Sequence, residues 1–396
     1  MKKIYATLNA GSSSVKFSIF LDEGSLLKPV YKGEISHLDQ QATPTFYVCD
    51  IEQNATQQEK WEDTSYEDAL KKLIGWISTK LSHMTLCAIG HRVVHGGLFY
   101  DKPTIIDSQI IKNLKSLCPL APLHQAHNLL AIEIISEQFP NLLQIACFDT
   151  AFHHNTPRLS RLYALPRELS ETGIQRFGFH GLSYEFIIGE LSKYEPRATT
   201  GKVIVAHLGN GASLCALSKG KSIASTMGFS ALDGLPMGTR CGNIDPGILL
   251  YLLQEKQMSA KEIETLLYKQ SGLLGISGIS SDMSTLLNSA DPHAQEAIQF
   301  FTYRIVREIG SLVAALGGLD ALVFTAGIGE HSPLIREAVC HQSNWLPIEL
   351  DEHANSKNQL QISTSSSAIS VWVIPTNEEL VIANYTSALS HLKMRI

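Results

Sequence analysis

The chain has 396 residues, 44% of them hydrophobic and 18% charged, with a formal net charge of −6. That composition suits a globular protein with a large core, and the length favours two domains. It argues against a nucleic-acid surface, which would carry a basic stripe, and no apolar run approaches the roughly 18 residues of a membrane span.

The first residues, "MKKIYATLNA", pass from two lysines straight into a strand pattern. No apolar signal core follows, so export is not expected. "KIYATLNA", the turn "GSSS" and "VKFSIFL" then read strand–turn–strand, with alternation at Val15, Phe17 and Ile19. Residues 40–64 are polar and irregular, which predicts a loop or a peripheral hairpin. Residues 124–139 read as a helix with Leu129, Leu130, Ile132 and Ile135 on its apolar face and Pro140 as its stop. "LLQIACF" is a short apolar run typical of a buried strand, and Asp149 stands at its end.

"KVIVAHLGNGASLCAL" repeats the strand–glycine turn–strand plan. Leu8, Gly11 and Ser13 recur as Leu208, Gly211 and Ser213 at a constant offset, which suggests two halves built alike. "LDALVFTAGIGE" predicts a third such strand running into a glycine turn, ahead of a helix near Pro333. The tail predicts a strand, a turn and a last helix. Strands alternate with helices throughout, so the class is α/β, and the hairpins imply mixed sheets. The seven cysteines are odd in number and contain no CxxC pair. They read as small buried side chains in a reducing cytoplasm, not as a zinc or disulfide framework.

A phosphate needs several N–H donors close together, and only small residues let backbone approach that near. Taken alone, "GSSS" could be an ordinary hairpin. Three glycine turns after strands suit a nucleotide better, although neither the P-loop nor the full dinucleotide fingerprint is present. Five polar groups occupy glycine-flanked loops or element ends: Arg92, His124, Asp149, His180 and Arg240. Each has a bland alternative as a solvated arginine, a structural histidine or a helix cap. Strand ends and glycine loops are nonetheless where α/β enzymes carry their chemistry.

"LNAGSSSVK", "GHRVVHGG", "CFDTAFH", "FGFHGLSYE", "VAHLGNGAS", "MGTRCGNIDPG", "AGIGE" and "PTNEEL" together resemble the ordered motifs of the acetate kinase family, over nearly the whole chain. The resemblance implies two lobes of the duplicated actin-like (ribonuclease H-like) ATPase fold, with a nucleotide cleft between them. The expected division is an N-terminal lobe of residues 1–150, completed by a C-terminal helix at 380–396, and a nucleotide-binding lobe of 151–379. The implied reaction is ATP + acetate ⇌ ADP + acetyl phosphate, with Mg²⁺ or Mn²⁺, in a cytoplasmic homodimer with no nucleic-acid or membrane partner.

By the same resemblance, Arg92 and Arg240 flank the carboxylate and the moving phosphoryl group. His180 donates to that group, and His124 is a weaker donor or an orienting group. Asp149 orders the metal shell or an arginine. Asn9 lies near the metal and Lys16 near the phosphates. His207, Leu208, Gly209, Asn210 and Gly211 cradle phosphate. Asp282, Met283 and Ser284 belong to the nucleotide site, and Gly327, Ile328, Gly329, Glu330 and His331 lie against the nucleoside. Val94, Leu123, Phe179 and Ala231, with Arg92, form the acyl pocket. In the tail, Thr376 and Glu379 fit a capping box, which leaves Glu378 as the metal ligand.

The chain departs from the family at three places. Ser284 replaces an arginine, which puts base preference in doubt. His331 ends the block usually written GIGEN, and Ala231 replaces a frequent proline. Two alternatives stay open: a propionate kinase on the same scaffold, and a nucleotide-dependent binding module without transferase activity.

Overall fold

In the computed structural model, residues 2–11, 13–24, 26–38, 43–122 and 124–393 are described. Leu123, assigned above to the acyl pocket, lies outside them. The chain divides into two compact units, Met1–Phe152 with Asn377–Ile396, and His153–Thr376.

The first unit holds a mixed sheet of eight strands: β1 (Lys2–Ala10), β2 (Val15–Asp22), β3 (Leu27–Ser36), β4 (Thr45–Asp50), β5 (Ala55–Lys60), β6 (Met84–Val93), β7 (Thr104–Ile105) and β8 (Leu143–Phe148). Their order is β5-β4-β3-β2-β1-β6-β8-β7. β1 runs antiparallel to β2 and parallel to β6, and β6 is parallel to β8. The polar stretch expected as a loop or hairpin is the β4–β5 hairpin at the sheet edge. Helices Tyr66–Lys80 and Gln125–Gln138 pack against each other, and both contribute to the unit's apolar core. The final helix, Glu378–Lys393, packs on β1, β6 and β8. Gly90 permits this approach: a Cβ there would meet the Thr386 hydroxyl at 2.1 Å and Ile382 at 2.5 Å.

The second unit holds β9 (Lys202–Leu208), β10 (Ala212–Ser218), β11 (Lys221–Ser225), β12 (Ala321–Thr325) and β13 (Ser370–Val373), in the order β11-β10-β9-β12-β13. This repeats the β3-β2-β1-β6-β8 series: a three-stranded antiparallel meander, then two parallel strands. Both copies of the sequence recurrence fall in hairpins, but out of step: Leu8 stands two residues before the end of β1 and Ser13 in the turn, whereas Leu208 ends β9 and Ser213 lies in β10. All seven cysteines are free.

Two local expectations fail. "AGIGE" is not a turn but a short helix, Ala326–His331, entered directly from β12. Ala326 takes a left-handed φ of 64° there, and its amide donates to Glu330 Oε1 at 2.7 Å, so the helix's own side chain closes the kink. The tail has no capping box either. Asn377 caps the last helix, its Oδ1 accepting from the Leu380 amide at 3.0 Å, while Thr376 donates its amide to Glu330.

His91 in β6 and His153 are buried and hydrogen-bonded to Gln144 and to Ser222, and burial pushes each imidazole down to about 4. Folding therefore favours their neutral forms. That stability is complete above the unfolded value near 6.5 and is lost as pH falls from there toward 4, by about 2 kcal/mol per histidine at pH 5. We expect the unfolding free energy to drop between pH 7.5 and pH 5, and to drop less in His91→Gln. Equal pH dependence in the two proteins would contradict this.

Candidate functional site

In the first unit, adjacent parallel strands bring Arg92 and Asp149 together. Val93 pairs with Phe148, and the Asp149 amide donates to the Val93 carbonyl, so both side chains emerge at the same end of the sheet. Arg92 Nε donates to Asp149 Oδ1 and Oδ2 at 3.0 and 3.1 Å, and Nη2 donates to Oδ2 at 2.6 Å. Arg92 Nη1 donates to Asn9 Oδ1 at 3.2 Å, and Glu378 Oε2 lies 3.8 Å from Nε. Asp149 is buried. Burial alone would lower the Arg92 pKa, but Asp149 and Glu378 outweigh it and raise the value, so the guanidinium stays charged.

Glu378 sits in the first turn of the last helix, its carboxyl pushed up to about 7. Burial is the main cause. Arg92 draws it down, Asp149 and Glu379 push it up, and Lys16 draws it down slightly. Lys16 stands opposite Asn9 in the β1–β2 hairpin. Three carboxylates thus share this corner with two cations. The deficit of positive charge and the oxygen donors of Asn9 and Glu378 fit a hard divalent cation. A separate surface group, Glu337, His341 and Glu352, also brings donor atoms within 4.8 Å of one another.

The loop after β6 is held by the helix Gln125–Gln138. Asn128 accepts from the Val94 amide at 3.0 Å and donates to the Ala10 carbonyl at 2.7 Å, and Gln125 bonds the His95 amide and carbonyl. Val94 is buried. His124 stands at the helix's N-terminal boundary and makes no side-chain cap.

In the second unit, the β9–β10 turn passes beneath two imidazoles and an arginine. The rings of His180 and His207 stack with centroids 4.1 Å apart. His180 Nδ1 meets Ser213 Oγ, and His207 Nδ1 meets Ser183 Oγ. A Cβ on Gly211 would lie 2.8 Å from Arg240 Nη2 and 3.2 Å from His180 Nε2, so glycine leaves the space that both groups occupy over the turn. Arg240 Nη1 donates to the Ala231 carbonyl at 2.7 Å. His180 has φ 57°, a left-handed conformation that costs an L-residue roughly 1–2 kcal/mol. Phe179 is buried, its carbonyl bonded to His153 Nε2.

Beside this turn lies a cavity of about 800 Å³. Gly209, Asn210, Asp282, Met283, Ser284, Gly327, Ile328 and His331 all line it, together with residues not singled out in the sequence, such as Leu287 and Asn288. Gly329 and Glu330 are not among its lining residues. Gly329 is buried, and Glu330 faces the Ala326 and Thr376 amides. The sequence reading also missed Arg336. It is fully buried, and it donates to the Gly329 and Glu330 carbonyls and to Asn355 and Asn358. Burial lowers its pKa to about 10. A lone arginine in a helical pattern gives no hint of such a role.

The profile of the Acetokinase family matches residues 4–384. The chain belongs to the acetokinase family. A protein named acetate kinase from Rhodopseudomonas palustris (strain TIE-1) is 52% identical over 98% of this chain and 99% of its own length. One named acetate kinase from Methylocella silvestris is 46% identical over 98% of both chains. Among solved structures, a propionate kinase from Francisella tularensis superposes with a TM-score of 0.90 at 36% identity, covering 98% of this chain and 99% of that one. The acetate kinase of Porphyromonas gingivalis gives 0.86 at 31% identity, with the same coverage. These neighbours carry the actin-like ATPase fold expected for this acetokinase-family chain.

Arg336 holds two carbonyls of the cavity-lining helix, so its planar fork matters beyond its charge. Arg336→Lys should lower stability by about 2–4 kcal/mol, the scale of leaving buried acceptors unpaired. It should also weaken ATP binding by calorimetry. Wild-type stability in the lysine variant would remove Arg336 from the support of the cavity.

Proposed function

We propose that this protein is a short-chain carboxylate kinase that transfers the γ-phosphoryl group of ATP directly to acetate, giving ADP and acetyl phosphate. The observation that carries the reading is the arginine pinned by a buried aspartate at the strand ends, Arg92 on Asp149. A carboxylate with a pKa of roughly 4–5 is already ionised at neutral pH and needs no base. The obstacle is bringing one anion to another, and fixed cations remove it.

Arg92 receives the acetate carboxylate, and Asp149 orients Arg92 instead of accepting a proton. One carboxylate oxygen attacks the γ-phosphorus, and the bond to the bridging oxygen of ADP breaks. Arg240 and His180 donate to the equatorial oxygens as charge gathers on them, and His124 orients the acceptor. The β9–β10 turn, from His207 through Leu208, Gly209 and Asn210 to Gly211, offers backbone amides to phosphate. The adjoining cavity takes the nucleoside. Asn9 and Glu378 would hold Mg²⁺, which when bound would neutralise charge on the ATP phosphates. The N-terminal unit with the last helix and the intervening unit serve as the acceptor and nucleotide lobes.

For the acyl group, the first unit offers Val94 and the second offers Phe179 and Ala231. A second reading, propionate as the acceptor, is favoured by Ala231, where a frequent proline is absent, and by the likeness to a propionate kinase. One methylene is worth only about 1–3 kcal/mol in such a pocket. The helix Pro246–Gln254 buries none of its residues and exposes Ile248, Leu250, Tyr251 and Leu253. These exposed apolar side chains support a homodimer. No described helix is long and apolar enough to cross a membrane, and a cytoplasmic location fits the free cysteines.

Hydroxylamine should trap an acyl phosphate that forms only with ATP and a carboxylate, with propionate within about a hundredfold of acetate in kcat/KM. ADP release independent of any carboxylate would instead favour a binding module. Arg240→Ala should cut kcat by at least about a hundredfold with Tm near wild type. Asp149→Asn, which also strips Arg92 of its partner, should lower both. Normal turnover in a folded Asp149→Asn protein would remove Asp149 from the mechanism.

Sedimentation should give twice the chain mass, and Leu250→Asp should give one chain mass. A monomeric wild type would refute the dimer.

A further inference from the structure

Ser213 is the second residue of β10 and is completely buried. Its hydroxyl has two close neighbours: His180 Nδ1 at 2.8 Å and the hydroxyl of Tyr184. Tyr184 is also completely buried, one turn along the helix Gly181–Tyr194 that His180 opens. The β9–β10 turn lies on the other side of the His180 ring. The opposite ring atom, His180 Nε2, faces it, beside Arg240 Nη2.

We propose that Tyr184 and Ser213 are positioning residues that fix His180 as the neutral tautomer with its proton on Nε2. This rests on the phosphoryl-transfer reading above, in which His180 donates to the moving group. A phenol is a stronger donor than an alkyl hydroxyl, so Tyr184 gives its proton to Ser213 Oγ. Ser213 has one proton and gives it to His180 Nδ1. The Nδ1 lone pair is then occupied, and the ring proton must sit on Nε2, aimed over the turn.

Three features oppose the alternative, a charged imidazolium. His180 caps the positive end of a fourteen-residue helix. Arg240 reaches the same point above Gly211. The stacked His207 ring lies 4.1 Å away, so the two rings cannot comfortably both carry charge. His207 repeats the arrangement, its Nδ1 tied to Ser183 Oγ, which bonds the Thr376 hydroxyl. His180 presents Nδ1 to β10 and Nε2 to the turn from a left-handed backbone.

The test joins ¹⁵N NMR of the imidazoles, with His180 assigned through His180→Gln, to a double-mutant cycle in turnover. Wild type should show protonated Nε2 and bare Nδ1, and Tyr184→Phe should show a mixture of tautomers. Tyr184→Phe should lower kcat at least about tenfold, with KM for acetate and ATP within about threefold, because a donor is misaimed and not removed. In a His180→Ala background the same change should cost less than about twofold. Ser213→Ala should reproduce these effects, and Tyr184→Phe carries the test if that variant fails to fold. A proton on Nδ1 in wild type, or an equal kcat loss with and without His180, overturns the proposal. A wild type lacking carboxylate kinase activity would overturn the transfer reading and the catalytic half of the proposal, while the nitrogen shifts would still decide the relay.

Discussion

A guanidinium held largely out of water must be paired, and the pairing of Arg92 with Asp149 sets the geometry around it. The two residues are far apart in sequence and meet because β6 and β8 are parallel neighbours that end together. Removing one partner from such a buried pair leaves the other charge uncompensated, at a cost of about 3–5 kcal/mol. The aspartate takes up Nε and Nη2 and so fixes the plane of the fork. Asn9 and Glu378 gather on the same arginine from β1 and from the last helix. The Glu378 carboxyl is raised mainly by burial, with Arg92 opposing the shift and Asp149 and Glu379 adding to it.

The same strand plan serves two purposes in the two units. Lys16 and Ser213 are each the second residue of the returning strand in their hairpins, yet Lys16 is exposed opposite Asn9 and Ser213 is sealed between His180 and Tyr184. Duplication supplies the scaffold of a meander and two parallel strands. The chemistry comes from what each copy places on it: a pinned arginine in one, and a pair of stacked imidazoles over a glycine turn in the other.

Much of this was legible in the sequence because it depends on local pattern. Strand–glycine–strand runs announced both hairpins, and Asp149 could be placed at a strand end from the apolar run before it. The eight cavity-lining residues named in advance followed from family motifs, not from periodicity. The misses share a physical cause. "AGIGE" reads as a turn because glycine disfavours helix, but Glu330 and Arg336 satisfy its backbone from positions local propensity does not weigh. Thr376 matched a capping box, yet its hydroxyl is engaged by Ser183, far away in sequence, and Asn377 took the cap. Arg336 carries no local signature, and the motifs that contain Ser213 and Tyr184 do not reveal their contact with His180, which exists only in the folded chain.

The account holds that one carboxylate oxygen attacks phosphorus in a single displacement, with fixed cations and no protein nucleophile or base. The most direct test is the stereochemical course at phosphorus, using ATP made chiral at the γ-position with oxygen isotopes. A single in-line transfer predicts inversion in the acetyl phosphate formed. Retention would require two displacements through a phosphorylated side chain and would contradict the account.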